Sequence, residues 1–163
     1  MAKKRTVTKK ARPRRKSTAK NRAGIARQKV TTFLWYDGKA EEAARFYVSL
    51  FKHSKVNSVN PMTVSFTLAG QDFIALNGGP HFKFNESVSL FVDCADQAEV
   101  DYFWNKLTAD GGQEGQCGWL KDKYGLSWQI IPTFLPTLVM TNPRAMQAML
   151  AMRKIDIATL QRA

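Results

Sequence analysis

The sequence contains only two cysteines, Cys94 and Cys117, and two histidines, His53 and His81. Two cysteines cannot build a disulfide framework, and their spacing matches no paired metal-binding pattern, so both read as free thiols in a reducing compartment. Nowhere do about 18 apolar residues run together, which argues against a membrane-spanning helix. The start of the chain lacks the apolar core of a secretory signal, and the expected location is the cytoplasm. It is Arg-rich like a transit peptide, but it shows no convincing apolar face. No strand leads into a glycine-rich loop and then a helix, the pattern expected of a nucleotide-binding fingerprint.

Acidic residues are missing from residues 1–29, which hold 13 of the chain's 25 lysines and arginines. The other 134 residues carry 12 basic and 13 acidic groups, so the net charge of +12 belongs to the tail and not to the body. The tail has no aliphatic periodicity and its charges repel one another, and it is expected to be disordered. Lys9, Lys10, Arg12, Arg14, Arg15 and Lys16 form its densest cluster, suited to nucleic acid or another polyanion through release of counterions. The alternative is a solvated extension with no dedicated partner.

Residues 30–163 read as one domain of class α+β. "VTTFLWY" is β-branched and aromatic, and Ala40, Ala43, Ala44, Tyr47 and Phe51 follow at helical spacing. "SKVNSV" reads as a short strand, and "MTVSFTLAG" and "QDFIALNG" alternate like the arms of a hairpin turning at Gly70 and Gln71. The pattern then recurs: "SVSLFVDC" is a strand, "ADQAEVDYFWNKLTADGG" a helix, and "QCGWLKDKYG" with "LSWQIIP" a hairpin turning near Gly125. "LWYDGKAEEAARFY" matches "LFVDCADQAEVDYF" with a one-residue slip, so the body is an internal duplication of βαβββ units, about 30–79 and 86–132. Each unit exposes one apolar sheet face, and joining the two is expected to close a curved mixed sheet around a cavity, with helices outside. Residues of about 137–163 read as C-terminal helices, with Pro143 in a first turn and Met146, Met149 and Leu150 on one face that covers the sheet or contacts a second copy.

"TTFLWYDGKAEEAARFYVSLF", "MTVSFTLAGQDFIALNGGPHFKFNESVS", "DQAEVDYFWNKL" and "GQCGWLKDKYGLSWQIIP" resemble, in order, the PhnB-like branch of the vicinal oxygen chelate (glyoxalase/bleomycin resistance/dioxygenase) superfamily. Domains of that branch often carry the label 3-demethylubiquinone-9 3-methyltransferase. The resemblance runs from Val30 to Ala163 and implies a glyoxalase-like fold. The family's longer loop between the second and third strands is shortened here to Asn57–Met62. Metal enzymes of the superfamily place one ligand on each of four strands, and those positions carry over to Thr32, Ala75, Ser87 and Gln129. Gln129 is the one metal-binding type among them, so neither a metal nor another cofactor is expected.

The stretch "NGGPHFKFN" reads as a turn joining the units: a strand precedes it, Pro80 removes a donor, and no helix follows to complete a phosphate cradle. Phe82 and Phe84 are expected to lie across the cavity mouth. "CGWLKDKYG" reads as a hairpin with Lys121, Asp122 and Lys123 as charges at its tip, and Cys117 has no histidine near in sequence to activate it. Strand alternation puts Thr32, Leu34 and Tyr36 on one pocket-facing side, with Asn77, with Ser87 and Ser89, and with Gln129. These aromatic and small polar groups suit a small, partly apolar molecule held by a few hydrogen bonds in a homodimer. No catalytic residue is assigned. The alternatives are a metal-assisted isomerase, lyase or dioxygenase, or nucleic-acid association through the tail.

Overall fold

The computed structural model describes residues 28–163. The basic stretch containing Lys9, Lys10, Arg12, Arg14, Arg15 and Lys16, expected to be disordered, lies outside the described residues. The first unit runs β1 (Thr32–Tyr36), α1 (Ala40–Leu50), β2 (Lys55–Val59), β3 (Thr63–Leu68) and β4 (Gln71–Asn77). The second runs β5 (Ser89–Cys94), α2 (Gln97–Thr108), β6 (Gln113–Glu114), β7 (Trp119–Lys121) and β8 (Ser127–Pro132). Helices α3 (Leu135–Thr141), α4 (Pro143–Leu150) and α5 (Ile157–Arg162) complete the chain.

The duplication is visible in the topology. Two four-stranded sheets have the orders β1-β4-β3-β2 and β5-β8-β7-β6, and in each the first strand lies parallel to the last and the remaining pairs are antiparallel. The α+β class and the C-terminal helices are as the sequence indicates.

Each helix forms because its apolar residues recur on one side. In α1 these are Ala40, Ala43, Ala44, Tyr47 and Leu50, all buried, and in α2 Val100, Phe103, Trp104 and Leu107. Asp96 caps α2 by accepting from the Glu99 backbone N–H at 2.9 Å, and Glu99 reaches back to the Ala95 N–H at 2.8 Å, as in a capping box. Lys39 offers α1 no side-chain cap; Asn77, at the end of β4, does so instead by accepting from the Ala40 N–H at 2.9 Å.

The sheet faces that carry these helices share one core. Leu34, Tyr36, Val64, Phe66, Phe73 and Ala75 from the first unit cluster with Val92, Cys94, Leu120, Trp128 and Ile130 from the second. Aromatic rings join the two: Tyr47 meets Trp128 edge-on at 5.3 Å, and Phe51 stacks on Phe103 at 4.6 Å. The sheet is therefore divided into two halves whose helix-bearing sides feed the same interior. The opposite, open faces carry the exposed rings of Phe33 and Phe91.

This arrangement corrects the phase assigned to β1. Leu34 and Tyr36 point to the helix side and are buried, and the open face is carried by Phe33, 54% exposed, and Trp35. Helix α1 packs over β3, β2 and β4, on the side where Leu34, Tyr36 and Ala75 are buried; a one-residue shift of β1 would send Phe33 and Trp35 into the core instead.

The C-terminal segment forms a second cluster around Ile131, Leu135, Ile155 and Leu160, with Met149 and Met152 packed against it. Pro143 opens α4, whose N-cap Asn142 accepts from the Arg144 and Ala145 N–H groups. Met149 joins the cluster while Leu150 is exposed, so the two do not share one covered face. The segment is sewn to sheet 2 where Gly118 (φ +84°) donates to the Arg153 carbonyl at 2.7 Å. A Cβ at Gly118 would lie 2.7 Å from Ile131 Cδ1 and 2.9 Å from the Ile130 oxygen, so only glycine permits this approach. No helix among the described residues is long and apolar enough to cross a membrane.

Candidate functional site

On the first sheet the open face carries Phe33 and Trp35 of β1, paired in register with Ile74 and Leu76 of β4. The turn after β4 is shaped by Trp35. Its indole N–H donates to the Gly79 carbonyl at 2.8 Å, and a Cβ at Gly78 would fall 2.2 Å from the indole ring. Phe82 then lies edge-on to Trp35 at 4.9 Å. Phe84 goes to the other side of the strand and meets Tyr36 at 5.2 Å, so the two phenylalanines do not face one space.

On the second sheet the open face is built in rows across the strands. Phe91 of β5, Gln129 of β8 and Trp119 of β7 are register partners, and beside them run Ser89, Ser127 and Lys121. The Gln129 amide donates to the Ser89 hydroxyl at 2.8 Å. Between the units, a cleft of about 430 Å³ is lined by Thr32, Phe51, Phe73, Ser89, Phe91 and Trp128. Another, of about 660 Å³, has Phe51, Phe91, Tyr102 and Phe103 as its apolar walls and His53 at its margin.

Of the residues chosen from sequence, Ser89 and Gln129 are thus in contact, and Thr32 and Ser89 both line the smaller cleft. Phe82 sits on the open face of the other sheet. Leu34 and Tyr36 lie in the core, and Phe84 packs against its edge. Asn77 is occupied in starting α1, and its Nδ2 donates to the Pro61 carbonyl at 3.2 Å. Ser87 stands exposed in the loop before β5, bonded to Asn85. The positions that the superfamily's metal enzymes use do not converge: Ala75 is buried under α1, Ser87 is on a loop, and only Gln129 has an amide on the open face. Among the described residues no three His, Cys, Asp or Glu side chains come together as a metal site. The donor set does not fit a metal.

The sequence reads Asp122 as a charge at a hairpin tip, and the structure corrects this: the carboxylate is buried. Asp122 is 2% exposed and accepts from Tyr47 Oη and Trp128 Nε1, each at 2.8 Å, and from the backbone N–H groups of Tyr124 (2.8 Å) and Leu126 (3.1 Å). Tyr36 extends the chain by donating to Tyr47 at 3.2 Å. Burial is the main cause of the raised pKa of Asp122, its hydrogen bonds acting the other way, and burial also raises the phenols of Tyr36 and Tyr47. The network links α1 to the β7–β8 hairpin and faces the core, away from the open sheet faces. Cys94 is buried too, its thiol pushed up to about 12 chiefly by burial, which keeps it protonated at neutral pH.

Residues 28–131 match the family model described as 3-demethylubiquinone-9 3-methyltransferase. Among solved structures, a PhnB protein of Bacillus cereus is 37% identical, with 63% of this chain and 97% of that one covered and a TM-score of 0.59. A protein from Staphylococcus aureus is 34% identical over 61% of this chain and 91% of its own, with a TM-score of 0.27. A lactoylglutathione lyase of Agrobacterium tumefaciens is 17% identical over 61% and 88%, with a TM-score of 0.35. No curated protein matches. The C-terminal helices lie beyond the matched residues. With nearly the whole duplicated body matched, the chain belongs to the 3-demethylubiquinone-9 3-methyltransferase family of PhnB-like proteins.

Proposed function

We propose that the protein binds a small, partly apolar molecule on its open sheet faces, with a second copy of the chain closing the site. The observation that supports this reading is the row Phe91–Gln129–Trp119: aromatic surface around an amide, on a face that neither α1 nor α2 covers and that meets the C-terminal cluster at Ile131. Phe33 and Trp35 make a similar apolar surface on the first sheet. One chain therefore offers two different open faces. A two-fold pairing that sets sheet 1 of one copy against sheet 2 of the other covers both, and produces two equal cavities. The two free cysteines suit a reducing compartment such as the cytoplasm.

The reading is one of binding, with no reaction assigned. Methyl transfer, which the family description names, is not part of it, because β4 leads through Gly78–Pro80 into a turn and a loop and not into a helix that could hold a nucleotide.

The test combines native mass spectrometry for retained small molecules with sedimentation for the assembly. Wild-type protein is expected to sediment as a dimer and Phe91→Asp as a monomer, since the charge would be buried between copies. Gln129→Ala is expected to stay folded and dimeric and to retain less ligand. A monomeric wild type, or a Gln129→Ala protein that unfolds while its folded fraction binds normally, would overturn the reading.

A further inference from the structure

Beneath the open face of sheet 2 is a pocket of about 150 Å³, lined by Glu86, Gln113, Glu114, Trp119, Lys121 and Ser127. At ~30 Å³ per water it has room for roughly five waters, or for one small polar group and the edge of a ring. Two features distinguish it from an ordinary surface dimple.

The first is Ser127, which is completely buried and whose hydroxyl has no hydrogen-bond partner among the described residues. Buried hydroxyls are nearly always paired, so an orphan that borders a pocket indicates a partner arriving from outside. The second is Lys121, register partner of Ser127 on the same face, whose ammonium is ion-paired with Glu86. Glu86 stands in the loop between the units with its side chain 64% exposed, whereas that of Lys121 is 31% exposed. The cation is fixed in the pocket wall and the carboxylate comes to it from solvent. Glu114, the other acid in the lining, is engaged elsewhere, accepting from Trp104 Nε1 at 2.9 Å and facing Arg153 at 3.7 Å.

We infer that this pocket receives a carboxylate carried by the ligand, which displaces Glu86 from Lys121 and accepts the unpaired hydroxyl hydrogen of Ser127. The inference rests on the proposed binding function and names the chemistry of its ligand. Glu86 occupies the lysine as an intrachain stand-in, and an exposed ion pair of this kind exchanges at little cost. A single cation with one hydroxyl matches the charge and size of a carboxylate better than those of a phosphate. The neighbouring row of Phe91, Gln129 and Trp119 gives the rest of the molecule a flat apolar seat, so the ligand class is an aromatic or otherwise planar carboxylic acid.

The experiment titrates the full chain with 2-naphthoate and with its neutral counterpart 2-naphthamide, following fluorescence. Naphthoate is expected to bind about tenfold more tightly than the amide, Glu86→Gln to improve naphthoate binding severalfold, and Lys121→Met to weaken it by about tenfold, with the amide unaffected. Ser127→Ala discriminates a binding role from a structural one: losing an unpaired buried hydroxyl should keep or raise the ligand-free melting temperature while naphthoate binding weakens. Equal binding of the two probes, or a Glu86→Gln variant that binds naphthoate no better, overturns the carboxylate pocket and leaves the broader binding function standing. Failure of both probes to bind overturns the two together.

Discussion

Replacing Asp122 by alanine is expected to lower the unfolding free energy by roughly 3–4 kcal/mol, at the upper end for a single substitution. Four donors converge on this carboxylate, and three of them make no other hydrogen bond among the described residues: the Trp128 indole N–H and the backbone N–H groups of Tyr124 and Leu126. Tyr47 can recover by rotating its hydroxyl toward Tyr36. Asp122→Asn is expected to cost less, about 1–2 kcal/mol, because its amide oxygen can keep the two backbone donors while its NH₂ faces the indole N–H, donor against donor. Urea denaturation of the two variants and the wild type measures both values. An alanine variant as stable as wild type would show that the network is dispensable.

The same carboxyl sets a pH dependence of unusual sign. Its pKa in the folded protein is raised above the ordinary aspartate value of 3.8, so the folded state holds this proton more tightly than the unfolded chain. Its contribution is then full below that value and is lost as the pH rises through the folded pKa. Glu42, Glu86, Asp101 and Asp156, all lowered by hydrogen bonds or ion pairs, act in the opposite direction and lose their contributions as the pH falls. The stability gap between wild type and Asp122→Asn should therefore be largest in acid and narrow toward neutrality. A gap that widens with pH would mean that the hydrogen bonds outweigh burial.

What was legible in the sequence follows from whether the pattern was local. Helix α1 announces itself through Ala40, Ala43, Ala44 and Tyr47, and the duplication through two matching strand–helix stretches. The phase of β1 was not legible from alternation, because Phe33, Leu34, Trp35 and Tyr36 are all apolar. A signal did exist: in the matched stretches Trp35 aligns with Phe91, and Leu34 and Tyr36 with Leu90 and Val92, so the two units had to use the same phase. Asp122 looked like a solvated hairpin charge, since Lys121 and Lys123 flank it. Its burial depends on Tyr47, 75 residues away, which no local window contains. Asn77 similarly alternates like a pocket residue, but is drawn to the uncapped start of α1, 37 residues earlier. The division of the sheet into two faces joined at their helix sides came from the Phe51, Phe103 and Trp128 contacts, which again are long-range.

Removing residues 1–27 should abolish salt-sensitive binding to duplex DNA, and this is the largest effect expected in the molecule. Twelve of the 13 positive charges that precede Val30 are lost in that truncation, whereas residues 30–163 carry 12 basic against 13 acidic groups and have no net attraction for a polyanion. If about 6–10 of the tail charges meet phosphates, affinity should fall on the order of 10³–10⁵ between 50 and 200 mM salt, with no preference for sequence. The cut leaves Gln28 in place, which matters because its side chain is bonded to the start of the inner strand β4, donating to the Asp72 carbonyl at 2.7 Å and accepting from the Asp72 N–H at 3.4 Å. The truncated protein is therefore expected to keep its melting temperature and its naphthoate affinity while losing DNA. A salt titration of both forms decides the matter. Equal binding by the two would place the electrostatic site on the body, and absence of binding by the full chain would leave the tail's charge without a nucleic-acid role.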